Sequence, residues 1–396
     1  MNNVFIIGCK GIPANYGGFE TFTDNLVTRK KADSIQYYVA CMSNDKNKQD
    51  EFDYNGSLCK NIFVPNIGPA KAILYDTKSL KWALEMIDKR ALKHGCVYIL
   101  GCTIGPLINL FKEKFKDRGF KVLLNPDGHE WKRDKWSYPV KVYLKLSEKS
   151  MVKSADLTIC DSLSIKSYIE NDYSKFNPQT TYIAYGSDIA DPKLNSESEK
   201  VRKYFESKQM KEEQYYLVVG RFVPENNYET IIRQFMLSNS NRDLIIITNF
   251  KGNKFFNKLK QETNFDKDKR IKFVGTVYDA ELLKYIRKNA FAYIHGHSVG
   301  GTNPSLLEAL GLTKLNLLYN VGFNNEVAES SALYWNKSCN SLSNLINRVD
   351  EFSNEKRNEF FEKGKAIITK RYTWNSIIDK YEKLFTNSKI FNDGNE

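Results

Sequence analysis

Residues 295–310, HGHSVGGTNPSLLEAL, place an apolar strand, a glycine pair and a helix bearing one acidic side chain, Glu308, in immediate succession. A helix start presents backbone N–H groups that have no partner inside the helix, and glycines just ahead of it let an anion approach without a Cβ in the way. Gly300, Gly301, Thr302 and Asn303 therefore form a candidate diphosphate cradle, with Glu308 one or two turns away to accept from a hydroxyl-bearing group. The nucleotide of a sugar donor has that combination. His295 and His297 flank Gly296 without a third histidine, a cysteine cluster or a suitably spaced carboxylate, so no metal site is expected there. No acidic pair stands at a strand end where a divalent ion would hold a diphosphate. Cationic side chains and backbone N–H groups are expected to do that work.

Three further segments carry candidate chemistry. GCKGIPANYGGFETF, residues 8–22, leaves the first strand with Gly8, Gly11, Gly17 and Gly18 and brings Glu20 into the first turn of the next helix. Its spacing fits neither a dinucleotide fingerprint nor a Walker-type phosphate loop, which removes the main support for an ATPase. LLNPDGHEWKRDKW, residues 123–136, concentrates Asp127, His129 and Glu130 just past a strand end. There His129 could act as a general base, its charge state being poised near neutrality; alternatively Asp127 could orient an acceptor hydroxyl or the leaving sugar. VVGRFVPENNYETIIRQF, residues 218–235, sets Arg221 beside a glycine at a strand end, a placement suited to forked hydrogen bonding to a diphosphate. Asn226 and Asn227 stand at the next helix start, where capping is the simpler role and a ligand contact the alternative.

These groups need elements to hold them. Strands are expected at 3–8, 36–41, 61–65, 96–100, 120–124, 156–160 and 180–184, with helices at 19–30, 71–93, 105–117, 137–153 and 162–172. Short, nearly all-apolar strands alternating with helices imply a mostly parallel sheet covered on both faces. Residues 190–212 are polar and carry no strand, though their middle suits a helix. The alternation then restarts, with strands at 215–220, 244–249, 271–275, 290–296, 315–319 and 332–335. Helices fit at 226–238, 253–262, 279–289, 304–311, 322–330, 340–370 with a break, and 373–386. The expected division is an α/β domain at 1–190, a linker at 191–212, a second α/β domain at 213–372, and at 373–396 a C-terminal helix, with the option of packing back on the first domain, and a frayed tail. Ligands of such open sheets bind beyond the C-terminal strand ends, here in a cleft between the domains.

Composition limits the classes of function. A formal net charge of +12 attracts any anion, whether nucleic acid, acidic lipid or phosphorylated substrate, and does not choose among them. No zinc-finger, RNP-like or helix-turn-helix pattern accompanies it, so a nucleic-acid partner is not expected. Seven scattered cysteines, none in a CxxC pair, fit reduced thiols in a cytosolic protein. The start MNNVFIIGCKG is read as a strand and its turn, not a signal peptide. No run approaches the roughly 20 apolar residues that span a bilayer. Membrane contact, if made, would be peripheral. Residues 131–153 carry seven Lys or Arg against two Asp or Glu, a local +5, interleaved with aromatic and aliphatic residues. Trp131, Lys132, Arg133, Trp136, Lys141 and Lys145 are the candidate acceptor or membrane surface there, with residues 71–93, through Tyr75, Leu80, Trp82 and Lys71, Lys78 and Lys81, as the second.

GIPANYGGFETF at 11–22, NPDGHEWKRDKW at 125–136, YGSD at 185–188, VGRFVPENNYETII at 219–232 and GGTNPSLLEAL at 300–310, in that order, resemble family 4 retaining glycosyltransferases, specifically the bacterial β-1,4-rhamnosyltransferases of capsule and rhamnan assembly. The resemblance implies the GT-B fold, two Rossmann-like domains facing across a cleft. It implies transfer of L-rhamnose from dTDP-β-L-rhamnose, without a metal cofactor, to a saccharide on undecaprenyl diphosphate at the inner leaflet of the cytoplasmic membrane. A related enzyme using UDP-glucose or UDP-N-acetylglucosamine is the alternative, and a nucleic-acid-binding or non-catalytic structural protein is the alternative of another class. Residue by residue, it assigns Gly17 and Gly18 to the loop approaching donor and acceptor, and Asp127 to Glu130 to the sugar-contacting or catalytic segment. Arg221 and the N–H groups around Gly301 to Asn303 fall to the diphosphate, and Glu308 to the ribose. The chain departs from the family's paired glutamates: seven residues before Glu308 stands Gly301, and the usual lysine is replaced within PENN by Asn226 or Asn227.

Overall fold

The computed structural model describes residues 1–14 and 17–387. Asn15 and Tyr16 of the glycine loop and residues 388–396, most of the expected tail, lie outside them. The chain divides into two compact units: Met1–Gly186 together with the chain from Trp374 onward, and Ser187–Thr373.

In the first unit the strands are β1 (Asn2–Ile7), β2 (Ile35–Ser43), β3 (Glu51–Tyr54), β4 (Ser57–Phe63), β5 (Gly95–Leu100), β6 (Phe120–Asn125), β7 (Leu157–Cys160) and β8 (Thr180–Tyr182). Its helices are α1 (Gly18–Thr28), α2 (Ala70–Lys89), α3 (Gly105–Lys116), α4 (Tyr138–Ser154) and α5 (Leu163–Asp172). The second unit adds α6 (Glu199–Ser207), β9 (Tyr215–Val219), α7 (Tyr228–Met236), β10 (Asp243–Ile247), α8 (Lys254–Thr263), β11 (Ile271–Gly275), α9 (Ala280–Lys288), β12 (Ala292–His295), α10 (Pro304–Leu312), β13 (Asn316–Tyr319), α11 (Gly322–Ala328), β14 (Leu333–Trp335), α12 (Ser341–Asp350) and α13 (Asn354–Arg371). Helix α14 (Trp374–Thr386) returns to the first unit.

The first sheet runs β3-β4-β2-β1-β5-β6-β7-β8 and the second β11-β10-β9-β12-β13-β14. Every pairing is parallel except β3 with β4. Strand order reverses direction between β1 and β5 in one sheet and between β9 and β12 in the other. Those are the switch points at which open α/β sheets bind ligands. The glycine loop after β1, and the loops after β9 and β12 that carry Arg221 and Gly300 to Asn303, all leave them.

Both faces of each sheet are apolar because helices cover both. In β5, Val97 and Ile99 join a cluster with Leu80, Phe111, Met151 and Ile165 from α2, α3, α4 and α5. On the opposite face Tyr98 meets Phe22 of α1 and Tyr381 and Phe385 of α14, with the Tyr98 and Tyr381 hydroxyls 3.0 Å apart. In the second unit Tyr216 and Val218 pack with α7 and α12, while Tyr215 and Leu217 pack with α6 and α9.

Three expectations change. Residues 191–212 are more than a linker, because α6 buries Val201 and Phe205 against Tyr215 and Leu217 and so belongs to the second unit. The strand expected at 61–65 begins at Ser57 and forms an antiparallel hairpin with β3, turned by Asn55 and Gly56, both at positive φ. The second candidate lipid surface is also turned inward: Tyr75, Leu80 and Trp82 of α2 are 1%, 0% and 5% exposed, as a helix covering a sheet requires.

Candidate active site

In the second unit β9 ends at Val219, and Gly220 and Arg221 follow at the switch point. Arg221 is exposed, and its guanidinium has no carboxylate partner among the described residues. Its carbonyl accepts from Asn226 Nδ2 at 2.8 Å, while Asn226 Oδ1 lies 2.9 Å from His297 Nδ1. Asn227 sits in the left-handed region and donates to the Gly296 carbonyl at 2.7 Å. Neither asparagine caps α7 through its side chain, contrary to the simpler expectation. They tie the loop after β9 to the loop after β12.

The loop after β12 is built around Gly300. Its φ of +147° is one that side-chain-bearing residues rarely adopt, and a Cβ there would come within 2.7 Å of His297 Nε2. Gly301 and Thr302 are buried, and Asn303 caps α10, its side chain accepting from Ser305 N at 2.9 Å. His295 is wholly buried, which pushes its pKa down to about 3 and keeps the ring neutral. Its Nδ1 is 3.3 Å from the Tyr293 hydroxyl.

Glu308, on α10, is not solitary. Its Oε2 pairs at 2.6 Å with Arg287 of α9, whose side chain is 4% exposed against 38% for Glu308. Arg287 also donates to Ser305 Oγ at 3.0 Å, and Ser305 lies 3.1 Å from the Tyr293 hydroxyl. A buried guanidinium thus fixes one carboxylate oxygen of a residue that is itself partly open to solvent. Sequence reasoning missed Arg287, Ser305 and Tyr293. No signal marked Arg287, which stands in the basic run KYIRKNA beside the apolar face of Leu282, Tyr285 and Ile286.

In the first unit the glycine loop is held by acids of α1. Glu20 accepts from Lys10 N at 2.8 Å and Asp24 from Ala14 N at 2.8 Å. Gly17 has φ +131° and lies over the Glu20 carboxylate, whereas a Cβ on Gly18 would meet nothing within 4 Å. That absence holds among the described residues.

Beyond β6, Asp127 and His129 both adopt positive φ. Arg133 binds Asp127 at 3.4 Å and also pairs with Glu130, which further holds Lys135 at 2.7 Å and Trp136 Nε1 at 2.9 Å. His129 packs on Tyr168 with ring centroids 4.2 Å apart. Burial, reinforced by Lys132 and Lys145, lowers its pKa to about 4. The expectation of a base poised near neutrality is corrected: the imidazole is neutral at pH 7 and only weakly basic.

The basic segment divides by exposure. Arg133 is 7% exposed, drawn inside by its two carboxylates, and does not face outward. Lys145 lies over the rings of Trp131, Tyr168 and Tyr173 at 4.7–4.9 Å, and Lys141 pairs with Asp134 at 3.6 Å. Lys132 is exposed, and Trp131 and Trp136 are half-buried. The outward apolar residues are Tyr138, Val142 and Leu146 on α4, with Leu107 and Leu110 on the adjoining α3. Among the described residues no helix is long and apolar enough to cross a membrane, and no cluster of three His, Cys, Asp or Glu is placed to hold a metal.

Residues 200–389 match the family described as glycosyl transferases group 1, and residues 1–188 match one described as a domain of unknown function, DUF1972. The chain is a glycosyltransferase of the GT-B class. No curated protein matches the transferase by sequence. Its fold resembles sucrose-phosphate synthase from Thermosynechococcus elongatus, with TM-score 0.79, 16% identity, and 97% of this chain and 98% of that one covered. It also resembles a glycosyltransferase from Rickettsia africae, with TM-score 0.72, 15% identity and 99% of both chains covered. A third structure is HepE of Anabaena in complex with UDP and glucose, with TM-score 0.69, 14% identity, and 97% of the transferase and 99% of HepE covered.

Proposed function

We propose that the transferase moves a hexosyl group, with retention, from a nucleoside diphosphate sugar to a saccharide acceptor, and that the donor is a UDP-sugar. The observation that carries this reading is the arrangement at the β9/β12 switch point. An exposed Arg221 and the glycine loop of Gly300 to Asn303 that leads into α10 are the groups offered to a diphosphate, and Glu308 is held by Arg287 through one oxygen, leaving the other for ribose hydroxyls. UDP is favoured as the donor base because HepE, of like fold, was solved with UDP and glucose.

In this reading Arg221 and the N–H groups of Gly301, Thr302 and Asn303 stabilise charge developing on the leaving diphosphate. The departing diphosphate oxygen takes the acceptor proton on the face it leaves, so no carboxylate nucleophile is required. Gly18 leaves room for donor and acceptor at α1, beside Gly17, whose missing side chain makes space for the Glu20 carboxylate. Asp127, His129 and Glu130, preset by Arg133 and Tyr168, orient sugar hydroxyls. Neutral His129 serves as a hydrogen-bonding group in this scheme, not as the base.

A second reading, dTDP-β-L-rhamnose as donor, is favoured by the glycine pair Gly300–Gly301 standing where the family pattern has its first glutamate. A 6-deoxy sugar lacks the 6-hydroxyl, so its pocket has one polar group fewer to satisfy. The acceptor would then be a saccharide on undecaprenyl diphosphate, presented at the inner leaflet against the α3/α4 surface.

A donor panel of UDP-glucose, UDP-N-acetylglucosamine and dTDP-rhamnose with short lipid-linked acceptors tests both readings. Product NMR reads linkage and anomeric configuration. Turnover confined to a UDP-sugar supports the first reading, and turnover confined to dTDP-rhamnose the second. Absence of turnover together with no binding of UDP or dTDP would overturn both.

A further inference from the structure

The first unit holds an open cavity of about 350 Å3 at the C-terminal ends of β2 and β4, roofed by α2 and bordered by the segment at residues 44–50. Five lysines line it against three carboxylates. Lys60 is neutralised by Asp50 and Glu51. Lys46, Lys48, Lys78 and Lys81 form no ion pair among the described residues, and Lys46 and Lys78 lie 5.3 and 5.8 Å from the Phe63 ring centroid. Lysines outnumber carboxylates in this lining, and the four without a paired acid repel one another more than Asp45 and Glu85 offset, so their grouping stabilises an anion that enters between them.

Two buried groups in the same lining give the cavity more than charge. Trp82 is 5% exposed, and its indole Nε1–H has no hydrogen-bond partner within the described protein. Asn61 is 7% exposed; its N–H and Nδ2 pin the neighbouring segment through the Asp50 and Gln49 carbonyls at 2.8 and 2.6 Å, leaving Oδ1 buried and unpartnered. A buried donor and a buried acceptor left unmade are costly, and native proteins satisfy nearly all such groups. A hydroxyl is the group that can satisfy either kind, accepting from the Trp82 indole and donating to the Asn61 carbonyl oxygen. Donor, acceptor and surrounding lysines together match a hydroxyl near an oxyanion.

We propose that this cavity binds an anionic sugar, with a ring hydroxyl on Trp82 and Asn61 and a phosphate or carboxylate among Lys46, Lys48, Lys78 and Lys81. The site stands on the first unit alone and does not depend on the donor reading. Sugar phosphates and uronic acids share this chemistry.

Indole 15N–1H spectra of the intact chain test it. The protein has five tryptophans, and Trp82→Phe identifies the Trp82 resonance by its loss. Glucose 6-phosphate, glucuronate, glucose and inorganic phosphate are titrated separately, with UDP as a control for the donor site. The expected result is a saturable downfield shift of the Trp82 indole proton with glucose 6-phosphate or glucuronate, whichever is the better ligand naming the anion. Lys46→Glu with Lys81→Glu, both exposed positions, should weaken that response at least about tenfold through lost charge-assisted contacts. Three results would overturn the proposal: no shift with either anionic sugar, an equal response to glucose or to inorganic phosphate, or a response indifferent to the lysine reversals.

Discussion

Glu308→Ala separates a ligand contact from a structural ion pair. Arg287 is 4% exposed at the side chain, and Glu308 is its carboxylate partner at 2.6 Å. Removing one member of a fully buried pair costs about 3–5 kcal/mol. Glu308 is 38% exposed, so water reaches the site and the cost falls to about 1–3 kcal/mol. For a unit of this size that is a fall in Tm of roughly 2–12 °C. Binding adds a separate signature. A hydrogen bond to a charged group contributes about 1.5 kcal/mol at the low end. Uridine offers Glu308 two ribose hydroxyls and thymidine one, so UDP affinity should fall about 150-fold and dTDP affinity about tenfold. Isothermal titration of both nucleotides, beside a thermal melt, reads both effects. If the melt shifts as expected while both affinities stay within twofold of wild type, Glu308 is only the counter-ion of Arg287, and the ribose contact is refuted.

Arg221→Ala should weaken UDP binding roughly 10- to 100-fold in the same titration, from the loss of a charge-assisted fork. Because Arg221 is exposed, the ligand-free melt should move by no more than about 1 °C. His129, with its pKa lowered to about 4, binds fewer protons folded than unfolded between pH 4 and 6.5, so stability is present above that window and is lost as pH falls through it. Its partial exposure limits the effect to about 1–2 kcal/mol. His129→Gln should flatten part of that slope in melts across the window, and wild-type His129 should titrate below pH 5 by NMR. Val142→Glu with Leu146→Glu, at positions 41% and 57% exposed, should abolish flotation of the transferase with anionic vesicles at low salt. Failure of the wild type to float would remove the peripheral-membrane reading.

Much of this architecture is written in local pattern. Strands such as Phe120–Asn125 and helices such as Gly105–Lys116 fall within a residue or two of where apolar runs and amphipathic stretches place them. The β3/β4 hairpin shows a signal present but unread: Asn55-Gly56 between two short runs is a strong turn pattern, obscured by the polar composition of the edge strand. Motif loops were also legible, because glycines and charged residues at strand ends have few other uses. The partners that set the motif residues were not. Arg287 reaches Glu308 from another helix, and Tyr168 reaches His129 across the fold, so the lowered basicity of that histidine depends on burial that no spacing encodes.

Helix α14 has a consequence for how the protein is made. The first sheet's second face is closed by Tyr381 and Phe385, which also supply a hydroxyl partner for Tyr98, and Glu382 accepts the backbone N–H groups of Lys31 and Ala32 at 2.7 and 3.1 Å. The ribosome completes Gly186 and then the whole of Ser187–Thr373 before it supplies them. At about 5–20 residues per second, the nascent first unit waits roughly 10–40 s with that aromatic face uncovered. The N-terminal unit is thus the last to be finished, and a ribosome stalled late in the message releases a chain with an open sheet.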